Sequence, residues 1–93
     1  MIAIKRAYET PANGDGVRIL VDRLWPRGLT KEKARVDLWL RDVAPSDALR
    51  KWFGHDPARW EGFRSRYFRE LDGKAALVGQ IEEAAHKGAV TLV

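Results

Sequence analysis

The run Val21-Asp22-Arg23-Leu24-Trp25-Pro26-Arg27-Gly28 places an acid, two arginines and a tryptophan directly behind an apolar stretch, Val17 to Val21. An arginine holds a carboxylate or phosphate through a two-pronged hydrogen-bonded fork, and an indole stacks on planar or cationic groups. A plain turn needs only Gly, Pro, Asn or Ser, whereas these large side chains lose rotamer entropy when they are held. The types and their spacing point to an anion-binding site. Arg23 or Arg27 would grip the anion, Trp25 would stack on the ligand, and Asp22 would orient Arg23. Gly28 would let the backbone come close. The competing reading is a brace, in which Asp22 and Arg23 form an internal ion pair and Trp25-Pro26 packs a corner.

Three other groups of residues invite chemistry. Ser46 lies near Asp42 in the chain, with His55-Asp56 further on. Yet Ser46 stands where a helix needs an N-cap, Asp56 does the same for the next helix, and the Gly-x-Ser-x-Gly elbow of the hydrolases does not occur. What remains is Asp42 and His55 as the groups that would move a proton if there is catalysis. His55 and His86 belong to no ligand-spaced set, so no metal is expected. Arg59, Arg66 and Arg69 fall to one side of a helix, a face that would suit a nucleic-acid backbone. Glu61 and Glu70 dilute that row, and no helix-turn-helix, RNP or KH signature accompanies it. Neither a Gly-x-Gly-x-x-Gly fingerprint nor a phosphate loop occurs, so no nucleotide cofactor is expected.

The elements that must position these groups are legible from periodicity and punctuation. Ile2 and Ile4 read as a first strand, with Tyr8 as a further member. Thr10-Pro11-Ala12-Asn13-Gly14-Asp15-Gly16 is turn chemistry, and Val17 to Val21 is a second strand. That connection is too short for the usual parallel crossover, so these strands are antiparallel if they are neighbours. Thr30 caps a short helix over Lys31 to Arg35, and Val36 to Arg41 alternates as an extended segment. Ser46 and Asp47 start a helix with Leu49, Trp52 and Phe53 inward, and Gly54 closes it. Asp56 and Pro57 start the third helix, whose stripe of Trp60, Phe63, Tyr67 and Leu71 reads as core. Asp72-Gly73 ends it. Lys74 to Lys87 is a last helix with Leu77, Ile81, Ala84 and Ala85 inward, and Ala89 to Val93 is an apolar strand of the buried type. The fold class is therefore α/β: a small mixed sheet of about four strands packed by about four helices.

Ninety-three residues make one domain, which buries roughly two thirds of its unfolded surface. The absence of cysteine removes disulfides, thiolate metal sites and a cysteine nucleophile. No segment approaches the roughly 20 apolar residues of a membrane span, and the expectation is a cytoplasmic protein. Seventeen bases stand against thirteen acids, a net charge of +4. Eleven of those bases are arginine, the residue suited to bidentate anion contacts.

Trp39-Leu40-Arg41-Asp42-Val43-Ala44-Pro45-Ser46, Leu49-Arg50-Lys51-Trp52-Phe53 and His55-Asp56-Pro57 follow the Val21–Gly28 run in order and at close spacing. Together these four motifs resemble the YeaO-like proteins, a bacterial family of unknown function (domain of unknown function 488), over essentially the whole chain. The resemblance implies a small α/β protein with no assigned activity, so no catalytic residue is carried over. Members of that family usually continue past the Val-Thr-Leu-Val strand into a segment with acidic, Asn and His residues and a last helix. The expectation is that residues 1–93 are one domain without that segment. Three functions follow: an anion-binding pocket at Asp22, Arg23, Trp25 and Arg27, a nucleic-acid module at Arg59, Arg66 and Arg69, or an interaction domain whose arginines only pair internally.

Overall fold

In the computed structural model, which describes residues 2–93, four short strands form one sheet. They are β1 (Ile2–Ile4), β2 (Val17–Leu20), β3 (Leu38–Trp39) and β4 (Val90–Leu92). Their order is β1-β4-β2-β3, and every pairing is parallel. The antiparallel first pair expected from the short connection does not form. The C-terminal strand enters between β1 and β2, so that Val90 stands opposite both Ile2 and Val17. The physical reason is strand length. A strand of three or four residues rises only about 10–13 Å, so residues 5–16 suffice to return along it and pass one strand over. The extended segment expected over Val36 to Arg41 pairs only at Leu38 and Trp39.

Four α-helices accompany the sheet: α1 (Lys31–Ala34), α2 (Asp47–Phe53), α3 (Trp60–Asp72) and α4 (Ala75–Lys87). Their starts follow local side-chain chemistry. Thr30 accepts from the Lys33 amide, Ser46 from Leu49, and Asp56 from Ala58 at the 3-10 turn Pro57–Arg59 that leads into α3. Gly54 ends α2 in the left-handed conformation, at φ 54°.

The sheet is covered on both faces. On one, Ile19 and Val90 pack with Leu40, Val43 and Ile81, while Leu77, Ala84 and Ala85 of α4 close over them. Leu77, Ile81, Ala84 and Ala85, at spacings of three or four positions along α4, thus lie on the side that meets the strands, as the periodicity requires. On the other face, the Arg18 side chain reaches the carbonyl of Ala34 in α1, and Ala34 and Leu20 are buried. Successive strand residues point to opposite faces, so Arg18 and Leu20 share this one. Trp60, expected in the core, is 50% exposed. No residue of α3 is fully buried, because α3 leans mainly on α2 and α4 and reaches the core cluster with Leu71 near its end.

A buried polar cluster fastens the β1–β2 connection. Asp15 accepts from the Arg18 guanidinium at 2.7 Å and from the Ala12 amide at 3.0 Å, and it pairs with Lys5 at 2.7 Å. These contacts hold its carboxyl at about 2, below the ordinary 3.8: the Lys5 bond contributes most, then the Ala12 amide, and together they outweigh burial. The Asp15 carbonyl accepts from the Thr91 hydroxyl at 2.8 Å, which ties the cluster to the central strand. Next to it, Gly16 has φ 65°, and a Cβ there would lie 2.1 Å from the Ala89 carbonyl oxygen. Only glycine lets these two backbones come so close.

Candidate functional site

Parallel sheets leave a crevice beyond the carboxyl ends of their strands, where loops departing to opposite faces part. Here the chain leaving β2 goes to α1 on one face, and the chain returning to β4 comes from α4 on the other. At the ends of these two adjacent strands lies a cleft of about 810 Å³. Val21 and Val93, just beyond β2 and β4, form part of its apolar floor with Phe53 and Phe63. The two phenyl rings are 4.6 Å apart between centroids, inclined by 33°. Its polar rim consists of Asp22 at the end of β2, Asp47, Arg50 and Lys51 on α2, and His55 in the turn after it.

The rim geometry comes from α2. Arg50 and Lys51 occupy its last turn, where a positive charge is favoured by the helix dipole. Among the described residues no carboxylate lies within ion-pairing distance of either side chain. His55 follows the Gly54 cap and also has positive φ, 57°, an uncommon conformation for a non-glycine residue. Its ring lies 6.1 Å from that of Phe53.

Of the strand-end run, Asp22 lines this cleft, whereas Arg23, Trp25 and Arg27 do not. Arg23 does not pair with Asp22. Its guanidinium, 27% exposed, lies 3.8 Å from both Asp42 and Asp47. Trp25 donates its indole N–H to the Leu29 carbonyl at 2.6 Å and meets Trp39 edge-on, with centroids 5.6 Å apart. Trp39 in turn donates to the Asp22 carbonyl at 2.7 Å, and Arg41 covers its ring at 4.3 Å. Arg27 is exposed, and its carbonyl accepts from the Tyr8 hydroxyl at 2.8 Å. The indoles therefore brace the loop that sets where the Asp22 backbone stands.

Of the two proton-transfer candidates, His55 lines the cleft and Asp42 does not. Ser46 has a different task. Its hydroxyl donates to Glu70 at 2.6 Å and accepts from the Leu49 amide, while its own amide donates to Glu70 at 2.9 Å. Burial alone would raise the Glu70 carboxyl, but these two bonds from Ser46 hold it below its ordinary value, helped by Lys74 and Arg23. Ser46 thus joins the start of α2 to α3, and no serine triad is assembled. Of the arginine row, Arg66 lies over the Trp52 ring at 3.9 Å, and Arg59 at 5.3 Å with a further hydrogen bond to the Trp52 carbonyl. Arg69 is exposed.

Reading the sequence missed Arg50, Lys51 and the Phe53–Phe63 pair as cleft residues. Leu49-Arg50-Lys51-Trp52-Phe53 shows two adjacent cations near the C-terminus of a short helix, but Asp47 stands three and four positions before them, so spacing alone reads as an internal pair that the structure does not form. Among the described residues no three His, Asp or Glu side chains group closely enough to hold a metal ion, and no helix is long and apolar enough to cross a membrane.

A family model described as the inactive DUF488-N3 subclade matches residues 1–93. An uncharacterized protein of Mycobacterium tuberculosis strain H37Rv, Rv3073c, is 44% identical over 92 residues, covering 99% of this chain and 77% of its own length. The uncharacterized protein YeaO of Escherichia coli K12 is 38% identical over 92 residues, covering 99% of this chain and 80% of its own. No solved structure matches.

Proposed function

The chain belongs to the inactive DUF488-N3 subclade, and from that premise we propose that it is a non-catalytic domain that binds an anionic small molecule in the cleft at the ends of β2 and β4. The observation that carries this reading is the pair of cations on α2, Arg50 and Lys51, standing without carboxylate partners over an apolar floor. A cation above a surface of low polarity attracts an anion more strongly than one surrounded by water. Ligand sites of α/β proteins combine such a floor with a few charged groups in this position on the sheet.

Within this reading the residues of the strand-end run have separate duties. Asp22 stands at the mouth of the cleft. Arg23 steadies Asp47, with Asp42 on its other side, so that its charge is largely answered within the protein. Trp25 braces the loop, and Arg27 remains available at the surface. His55 adds a hydrogen-bonding group at the rim. Membership of an inactive subclade supports a binding role over a catalytic one.

The test is an amide-resolved NMR titration with sodium acetate and inorganic phosphate at low ionic strength. Saturable shifts are expected at Arg50, Lys51, Phe53 and His55. The Arg50→Gln/Lys51→Gln double variant should bind at least about tenfold more weakly, the equivalent of about 1.4 kcal/mol. Arg27→Ala should bind as the parent does. Unchanged affinity in the double variant would remove the proposal.

A further inference from the structure

A cleft that recognised only an inorganic anion would have no use for its floor. The space of about 810 Å³ falls in the range of drug-sized ligand sites, about 300–1,000 Å³, and far exceeds what acetate or phosphate fills. Phe53 and Phe63 present a tilted pair of rings, and Val21 and Val93 extend the apolar surface from the strand ends. Offset or tilted ring pairs accept a further aromatic ring in the same manner. The charges on the rim are mixed: Arg50 and Lys51 face the cleft together with the carboxylates of Asp22 and Asp47. A single negative charge is held by the cations at small cost from the acids. A second negative charge would double the attraction to Arg50 and Lys51 and the repulsion from Asp22 and Asp47 alike, so the rim selects for an anion and not for the size of its charge.

On the reading that the cleft binds anions, we infer that its ligand is an aromatic anion, with the ring system on Phe53 and Phe63 and its carboxylate or phosphate on Arg50 and Lys51. Apolar burial then supplies most of the affinity, and the cations supply orientation and selection for charge.

The experiment measures affinities of the 93-residue protein for 1-naphthoate, acetate, phenyl phosphate and the neutral 1-naphthalenemethanol by NMR titration. The expected order is 1-naphthoate first, at least about tenfold tighter than acetate, an increment of the size that burial of one ring supplies. Phe53→Leu should weaken naphthoate and leave acetate unchanged. Should that variant unfold, the ligand series on the parent protein decides alone. Equal affinity for acetate and naphthoate would overturn the aromatic assignment while leaving the anion site standing. Phenyl phosphate binding no more tightly than acetate would likewise overturn the aromatic assignment. Naphthalenemethanol binding as tightly as naphthoate, or no binding by any of the four, would overturn the anion site itself and this inference with it.

Discussion

At the scale of single residues, the least replaceable position is Gly16. Its φ of 65° lies in the region that L side chains enter at a cost, and its missing side chain is what permits the close approach of Ala89. Gly16→Ala must both strain the backbone and push β4 away from β2, the two strands whose ends form the cleft. Destabilisation well above the roughly 0.4–1 kcal/mol scale of ordinary glycine substitutions is expected. For a domain this small each kcal/mol moves the thermal midpoint by about 4–8 °C. A melting curve that superimposes on the parent would contradict this account of the glycine. Gly28 has positive φ as well, but open space surrounds its missing side chain, so its replacement strains the backbone without a clash.

At the scale of elements, α2 is the piece on which the site depends, and what holds α2 is its contact with α3. Gly62 of α3 lies directly under Trp52, where a Cβ would come within 2.8 Å of the ring. Arg59 and Arg66, from the same helical segment as Gly62, also lie over that ring, at 5.3 and 3.9 Å from its centroid. Helix propensity favours alanine over glycine by about 1 kcal/mol, whereas overpacking a filled contact costs about 1–3 kcal/mol. The contact term wins, and Gly62→Ala is expected to be net destabilising. In a Trp52→Leu background the penalty should disappear and the propensity gain should emerge, which a double-mutant cycle in urea measures directly. Additivity of the two substitutions would show that Trp52 and Gly62 are not coupled. The same contacts bear on the arginine row of the third helix: two of its three members are occupied with Trp52, and a charge engaged in this way is less free to meet a phosphate backbone.

At the scale of the whole molecule, acid stability follows from two carboxylates held below their ordinary values, Asp15 at about 2 and Glu70 in the same direction. A carboxyl that binds its proton less readily when folded adds stability above its unfolded value, near pH 4. That stability is lost as the pH falls through the folded value. Urea midpoints should therefore be level near neutrality and should decline from about pH 4 toward pH 2. Asp15→Asn should be less stable at pH 7, because Lys5 and Arg18 lose their counter-charge, and should show a shallower acid decline. An acid decline as steep in Asp15→Asn as in the parent would locate the proton uptake elsewhere. The arrangement has a mechanical sense. The Asp15 carboxylate ties the β1–β2 connection to Arg18 in β2 and to Lys5 beyond β1, so protonation loosens that connection, while the Thr91 bond to the Asp15 main-chain carbonyl is left in place.

Much of this protein is determined by residues close together in the chain. The caps at Thr30, Ser46 and Asp56, the stop at Gly54, the apolar periodicity of α4 and the buried character of the last strand all follow from interactions spanning a few residues. They were legible for that reason. So was the serine's role, since a hydroxyl one position before a helix answers free amides before it answers anything else. The strand order was not legible, because β4 slips between β1 and β2 from the far end of the chain and no local pattern records which strand will arrive there. The burial of Arg18 escaped notice for the same reason: its partners Asp15, Ala34 and Lys5 come from three different segments. Of the residues that line the cleft, the sequence reading names Asp22 and His55 but not Arg50 or Lys51. Asp22 could be placed beyond β2 because the strand and the run that follows it are contiguous in the chain. The choice of cations could not be read this way, since whether an arginine meets a ligand or an internal carboxylate depends on what lies across from it. Tertiary structure gave Arg23 to Asp42 and Asp47 and left Arg50 and Lys51 facing the cleft. Pairwise electrostatics acts over a few ångströms of space, whatever the separation along the chain.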